Sequence, residues 1–275
     1  MTAVVSTATT ARERSRNRSG FWPVTKAIAV RNLVSITRLP AAFIPSLVFP
    51  FLFIVALAGA YSGVVKAAPG FPAKTIFAWI LPYTCVNSAA IVGMTTGIGL
   101  IRDIQTKFYD RLLLAPIKRS ALVAGLYLAA MARTLVPVTL VTVIGMAEGA
   151  RFNGSGALAL VPMVLAAEGA AMLGAGWGIG MGLRAKSFSA VPLLFMVVFL
   201  STSIAPVQVP ISFMSGWLKV AARWNPMTRI INMSRVGWVG DHIRWGDVGP
   251  GVIVIVVGAL LLCGFAVRGL RRMSP

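Results

Sequence analysis

Acidic residues are scarce here: 7 Asp and Glu stand against 26 Lys and Arg in 275 residues, and 12% of the chain is charged. Soluble domains carry about 25%. With 57% hydrophobic residues and a mean hydropathy of +0.82, the chain is excluded from the ordinary soluble class. One histidine, His242, rules out a multi-histidine metal centre, and the two cysteines, Cys85 and Cys263, form no Cys/His cluster. Both cysteines fall inside apolar runs and read as small buried hydrophobes. No GxxxxGK[ST] loop is present, so nucleotide is not bound through a P-loop. Paired carboxylates, a Ser/His/Asp set and metal-ligand spacing are all missing from the polar segments. A membrane enzyme is therefore unsupported, because acid–base and nucleophilic chemistry needs groups within hydrogen-bond reach of one another. Asp241 and His242 read as solvated loop residues. The net charge of +19 would suggest nucleic acid in a soluble chain. No basic patch with interleaved aromatics supports that, and the charge instead flanks apolar runs, where it meets anionic lipid.

What is present is a series of long apolar runs. Six approach or exceed the roughly 20 residues needed to cross a hydrocarbon core: 41–60, 75–100, 121–147, 156–183, 188–206 and 249–267. The expected fold is an all-α polytopic membrane protein with six transmembrane helices, an N-terminal interfacial helix and short outer-side helices before the last span. Residues 1–20 read as a disordered cytoplasmic tail, 21–39 as an interfacial helix, 40–268 as the six-span domain and 269–275 as a second cytoplasmic tail. Arg31, Ser35 and Arg38 share one face of the interfacial helix opposite Val30, Leu33 and Ile36. With both termini cytoplasmic, the inside segments carry 17 basic residues and the outside segments eight. The positive-inside rule therefore places the termini in the cytoplasm of a plasma-membrane (inner-membrane) protein. The long 207–248 segment departs from the rule with five of those outside charges. It also holds Trp217, Trp224, Trp238 and Trp245, which read as an aromatic belt or as short re-entrant helices.

Between the second and third runs lies a charged island, RDIQTKFYDRLLLAPIKRS, from Arg102 to Ser120. Within the runs, Arg133 and Glu168 are costly groups at similar depth, placed to meet across the hairpin of spans three and four as an ion pair. Span four carries Gly169, Gly174, Gly176, Gly178, Gly180 and Gly182, a small-residue surface for close helix packing. Thr84, Asn87, Ser88, Thr95 and Thr96 in span two, with Ser201, Thr202 and Ser203 in span five, either line a pathway for an amphipathic molecule or bond between helices.

Two local sequences carry a resemblance. Asp103, Asp110, Arg111, Leu112, Leu113, Ala115, Pro116 and Arg119 lie after span two, with Gly125 following in span three. Pro206, the Met214–Leu218 stretch, Asn225, Pro226 and Arg235 lie before the last span. In this order and spacing the chain resembles type-2 ABC transporter permeases, specifically the branch similar to daunorubicin-resistance exporters. Lys107 departs from the Gly usual there, which predicts a helix carried further into the loop. Ser215 departs from the common Pro before Gly216. The resemblance implies a transport subunit with no ATPase site or cofactor of its own. It pairs with a second permease and is driven by a cytoplasmic ATPase dimer that binds ATP and Mg. The 102–117 loop, with Asp103, Lys107, Asp110, Arg111, Pro116 and Arg119, would be the coupling helix seated on the ATPase. The cargo implied is a hydrophobic drug or lipid, with polysaccharide or haem export as the alternative. An ion-gradient-driven carrier is disfavoured, because Glu168 alone offers a mid-membrane acid.

Overall fold

The computed structural model describes residues 20–38, 71–73, 75–113, 117–152, 156–207, 210–239 and 245–271, with isolated positions between 48 and 63. All regular elements among these residues are helical: α1 (Phe21–Arg38), α2 (Ile76–Gln105), α3 (Phe108–Leu113), α4 (Arg119–Ala147), α5 (Leu160–Ala185), α6 (Val191–Ser203), α7 (Gly216–Trp224), α8 (Pro226–Val239) and α9 (Trp245–Arg271). Four are long and apolar enough to cross a membrane: α2, α4, α5 with its leading turn from Gly156, and α9. They overlap the apolar runs 75–100, 121–147, 156–183 and 249–267. The expected first span, 41–60, and the expected tail at 1–20 lie largely outside the described residues, as does most of 269–275.

The centre of the bundle is the seam between α2 and α5, which run parallel. Gly93 and Gly97 on α2 meet Gly174, Gly178 and Gly182 on α5, each set repeating every fourth residue and so lying on one helix face. A Cβ on Gly97 would fall on the backbone of Gly178, and one on Gly174 would fall on the Ala90 carbonyl oxygen. The backbones are therefore in direct contact, as small-residue membrane interfaces permit. A second set of α5 glycines serves α9: Gly169 faces Ile255, Gly176 lies against Leu262 and Gly180 against the Phe265 ring. The span-four glycines thus hold two neighbours on two faces.

α2 is the most enclosed span, whereas α9 keeps Ile253, Val256, Val257, Leu260 and Leu261 exposed, as a lipid-facing helix would. α1 docks on α4 through Gly125, where a Cβ would lie 2.7 Å from the Ile28 Cβ. Thr25 Oγ1 there lies 3.3 Å from the Ala121 carbonyl oxygen.

The fifth expected span, 188–206, is shorter as a helix. α6 has 13 residues, which at about 1.5 Å per residue falls short of a hydrocarbon core of about 30 Å. It stops at Ser203 because the chain then turns, with Val207 N bonded to Ala205 O. That turn presents the Pro206 and Val207 carbonyls to Arg235.

Gly97→Leu is expected to destabilise the folded chain in detergent by about 3 kcal/mol or more through backbone displacement. Gly99→Ala on the same helix, where nothing lies within 4 Å, should cost less than about 1 kcal/mol. Thermal unfolding of both variants checks the contrast.

Candidate functional site

The charged end of the bundle is built from α1, the end of α2 and α3. Arg31 on α1 donates from both terminal nitrogens to the two carboxylate oxygens of Asp103, each at 2.7 Å. Its guanidinium also lies 3.8 Å from the centre of the Phe108 ring. This bidentate, stacked geometry suits Arg and not Lys. The hydrogen bond to Asp103 raises the Arg31 pKa above its ordinary value; partial burial opposes the rise and charge attraction adds to it. Tyr109, one residue on, is buried, and burial together with the Asp103 charge lifts its hydroxyl above the usual tyrosine range. Arg31 therefore joins the interfacial helix to the charged island.

The island's helix does not run on through Lys107. α2 closes at Gln105, with Thr106 N bonded to Arg102 O and Lys107 N bonded to Ile104 O. Lys107 itself takes φ 56°, the left-handed conformation that glycine occupies most easily. The turn it makes delivers Phe108 beneath Arg31. A lysine adopts the glycine geometry here rather than extending the helix. Lys107, Arg111, Lys118 and Arg119 are exposed around it. Asp110 lies on α3, and Pro116 falls outside the described residues.

At the opposite end, Arg235 on α8 is 3% exposed. It donates to three carbonyls: Nε to Trp79 O at 3.0 Å, Nη1 to Pro206 O at 2.7 Å and Nη2 to Val207 O at 3.0 Å. It also stacks 3.7 Å from the Trp79 ring, whose Nε1 donates to Val207 O at 3.0 Å. One side chain thus ties α8, the start of α2 and the turn after α6. Asn225 acts beside it. Its Nδ2 donates to Ser201 O at 2.6 Å, and its Oδ1 accepts from Met227 N at 3.0 Å, which caps α8 at the Asn225–Pro226 step. α7 starts at Gly216 with φ 61°, so glycine makes its entry turn without a proline before it. The four tryptophans of this region do not form one belt. Trp238 is fully buried against Phe152, whereas Trp217, Trp224 and Trp245 are exposed.

Arg133 and Glu168 are brought near one another but not into an ion pair; among the described residues the ion pair is Arg31–Asp103. Arg133 Nη2 donates to Thr96 Oγ1 at 2.9 Å and its Nε to Ala129 O at 3.2 Å. Glu168 Oε1 accepts from Thr134 Oγ1 at 2.8 Å, and its buried Oε2 has no partner among the described residues. Thr134 faces the acid while its neighbour Arg133 is turned toward α2. Equal depth did not bring equal rotation.

The span-two and span-five hydroxyls divide as well. Thr84, Ser88 and Thr202 are buried and bond carbonyls of their own helices. Thr95 and Ser201 bond locally too, at 2.7 and 2.8 Å, but are half-buried. Asn87 is half-buried and Ser203 exposed. Asn87, Ile91, Thr95 and Ile98 form the stripe along which α2 is partly open. Among the described residues no group of three His, Cys, Asp or Glu side chains could hold a metal. Thr96 was read with the span-two hydroxyls and not as a partner of Arg133, and Trp79 and Thr134 were not among the residues singled out. They sit in apolar or polar-neutral stretches, and only the location of their arginine and glutamate partners marks them.

A family model described as ABC-2 type transporter matches residues 23–238. The chain is 25% identical to the protein named as a transport permease, ycf38, of Pyropia yezoensis, over 86% of this chain and 84% of that one. It is 23% identical to the daunorubicin resistance ABC transporter permease protein DrrB1 of Streptomyces coeruleorubidus, over 88% of this chain and 82% of that one.

Arg235→Lys should cost about 3 kcal/mol, because a compact ammonium cannot replace a planar fork over an indole and buried carbonyls lose their donors. Lys107→Gly should act oppositely, stabilising by about 1 kcal/mol through relief of the left-handed backbone. Midpoints of thermal unfolding in one detergent measure both.

Proposed function

The chain belongs to the ABC-2 type transporter family, and from that membership we propose that it is the transmembrane permease subunit of an ATP-driven exporter for a hydrophobic drug or lipid. It is a multi-pass membrane protein, as its long apolar helices require. Hydrolysis belongs to a partner: an ABC ATPase dimer supplies the ATP and Mg chemistry, and a second permease copy or homologue completes the pathway. The termini and the charged end face the cytoplasm of the plasma membrane, following the charge asymmetry of the loops.

The observation that carries this reading is the welding of α1 to the α2–α3 junction by Arg31, Asp103 and Phe108. A loop that is to transmit force from a soluble motor must be stiffly joined to the spans it moves, and this one is joined both to α2 and to the interfacial helix. Around the joint, exposed Lys107, Arg111, Lys118 and Arg119 form a basic surface suited to an ATPase groove. The cargo class rests on different support. The relative DrrB1 is named for daunorubicin resistance, and the partly open stripe of α2 alternates Asn87 and Thr95 with Ile91 and Ile98. Together with Ser201 and Ser203 on α6, that stripe offers a greasy path with few polar contacts, which selects for size and apolarity more than for a particular headgroup. Cargo enters from the cytoplasm or the inner leaflet.

Reversing the island charges by Asp110→Arg with Arg111→Asp should leave the chain folded and the partner's ATP hydrolysis intact, while export of a fluorescent hydrophobic dye or lipid falls to background. Unchanged export would reduce the island to an orientation signal.

A further inference from the structure

α7 turns its apolar side outward. Trp217, Val220 and Trp224 are 76%, 57% and 84% exposed, and their spacing of three and four residues puts them on one helix face. Ala222 alone among the nine residues of α7 is buried, so the helix rests on the bundle by its other side. Two features set its level. The Asn225–Ser201 hydrogen bond of 2.6 Å pins the end of α7 to the last turn of α6, on which Met196, Phe199 and Leu200 are exposed. The first residue of α9, Trp245, is also exposed, ahead of the outward-facing Ile253, Val256 and Val257. α7 therefore stands where two lipid-facing apolar surfaces end.

Its charges agree with that place. Lys219 and Arg223 lie one turn apart beside the tryptophan stripe, and residues 187–240 contain no Asp or Glu. Among the described residues neither cation is in an ion pair. These are basic groups at the end of the bundle opposite the charged island, against the usual bias of loop charge. A phosphate at the membrane surface is the counter-ion that this level provides.

We propose that α7 is a lipid-binding interfacial helix. Trp217, Val220 and Trp224 insert at the boundary of headgroups and acyl chains in the leaflet opposite the charged island, while Lys219 and Arg223 hold the phosphates of anionic phospholipids. The helix so anchored is tied through Asn225 to both α6 and α8, and lipid composition acts on that end of the bundle through it.

The test uses the full chain with Cys263→Ala and Val220→Cys, spin-labelled at position 220 and reconstituted into phosphatidylcholine vesicles with or without phosphatidylglycerol. Cys85 is buried and stays unlabelled. Collisions with oxygen should exceed those with an aqueous nickel chelate, and their ratio should rise several-fold when phosphatidylglycerol is added. Lys219→Gln with Arg223→Gln should remove the dependence on phosphatidylglycerol and keep the insertion. Equal ratios in both lipids overturn the phosphate contact. A label open to the nickel chelate, or strongly coupled to the label of a second copy, overturns the assignment of lipid to this face.

Discussion

Backbone contact between α2 and α5 is the constraint on which the rest of the bundle depends. Inside a membrane the lipid tails are as apolar as the side chains, so helices gain little by hiding hydrophobic surface and must gain by fitting closely. Glycines at 93, 97, 174, 178 and 182 remove the side chains that would hold the two backbones apart. Because α5 spends its other glycine face on α9, three parallel spans become one block. The remaining helices are fastened to that block, and the fastening is done largely by arginine.

Three arginines are used in the same way. Arg31 stacks on Phe108 and fills the Asp103 carboxylate; Arg184 stacks on Phe265 at 3.6 Å and donates to Gly180 O and Phe265 O; Arg235 stacks on Trp79 and donates to three carbonyls. Each places a planar cation over a ring while its fork donates to carboxylate or carbonyl oxygens. Arg31 and Arg184 close the charged end, and Arg235 closes the other. α2 thus runs from the island to the Trp79–Arg235 joint, where α8 and the end of α6 are attached.

The long apolar helices were legible because hydropathy runs along the chain. The expected 121–147 is the helix Arg119–Ala147, and 75–100 is Ile76–Gln105. Small-residue spacing likewise foretold the close packing of span four. What sequence did not carry was rotation about the helix axes. Arg133 and Glu168 have matching depth, which counts residues, yet Arg133 turns to Thr96 and Glu168 to Thr134. The end of α6 was hidden for a related reason: the apolar run continues to Pro206, but Arg235, 29 residues on, takes the carbonyls of the turn. Lys107 shows the opposite case, where a backbone requirement prevailed over the residue's own preference. Asp103 was picked out as a contact for the ATPase, and the structure gives its carboxylate to Arg31. The exposed charges at Lys107, Arg111 and Arg119 remain on the outside of the same joint.

The chain is a multi-pass member of the ABC-2 type transporter family, and its proposed role as a driven permease subunit makes a claim about its partners. The direct measurement is the subunit composition of the intact complex, obtained by tagging the full chain, extracting it from its native membrane in mild detergent and weighing the assembly whole. Two permease chains with two ABC ATPase chains are predicted. A chain that is extracted without any ATPase, in a detergent that preserves its fold, contradicts the assignment.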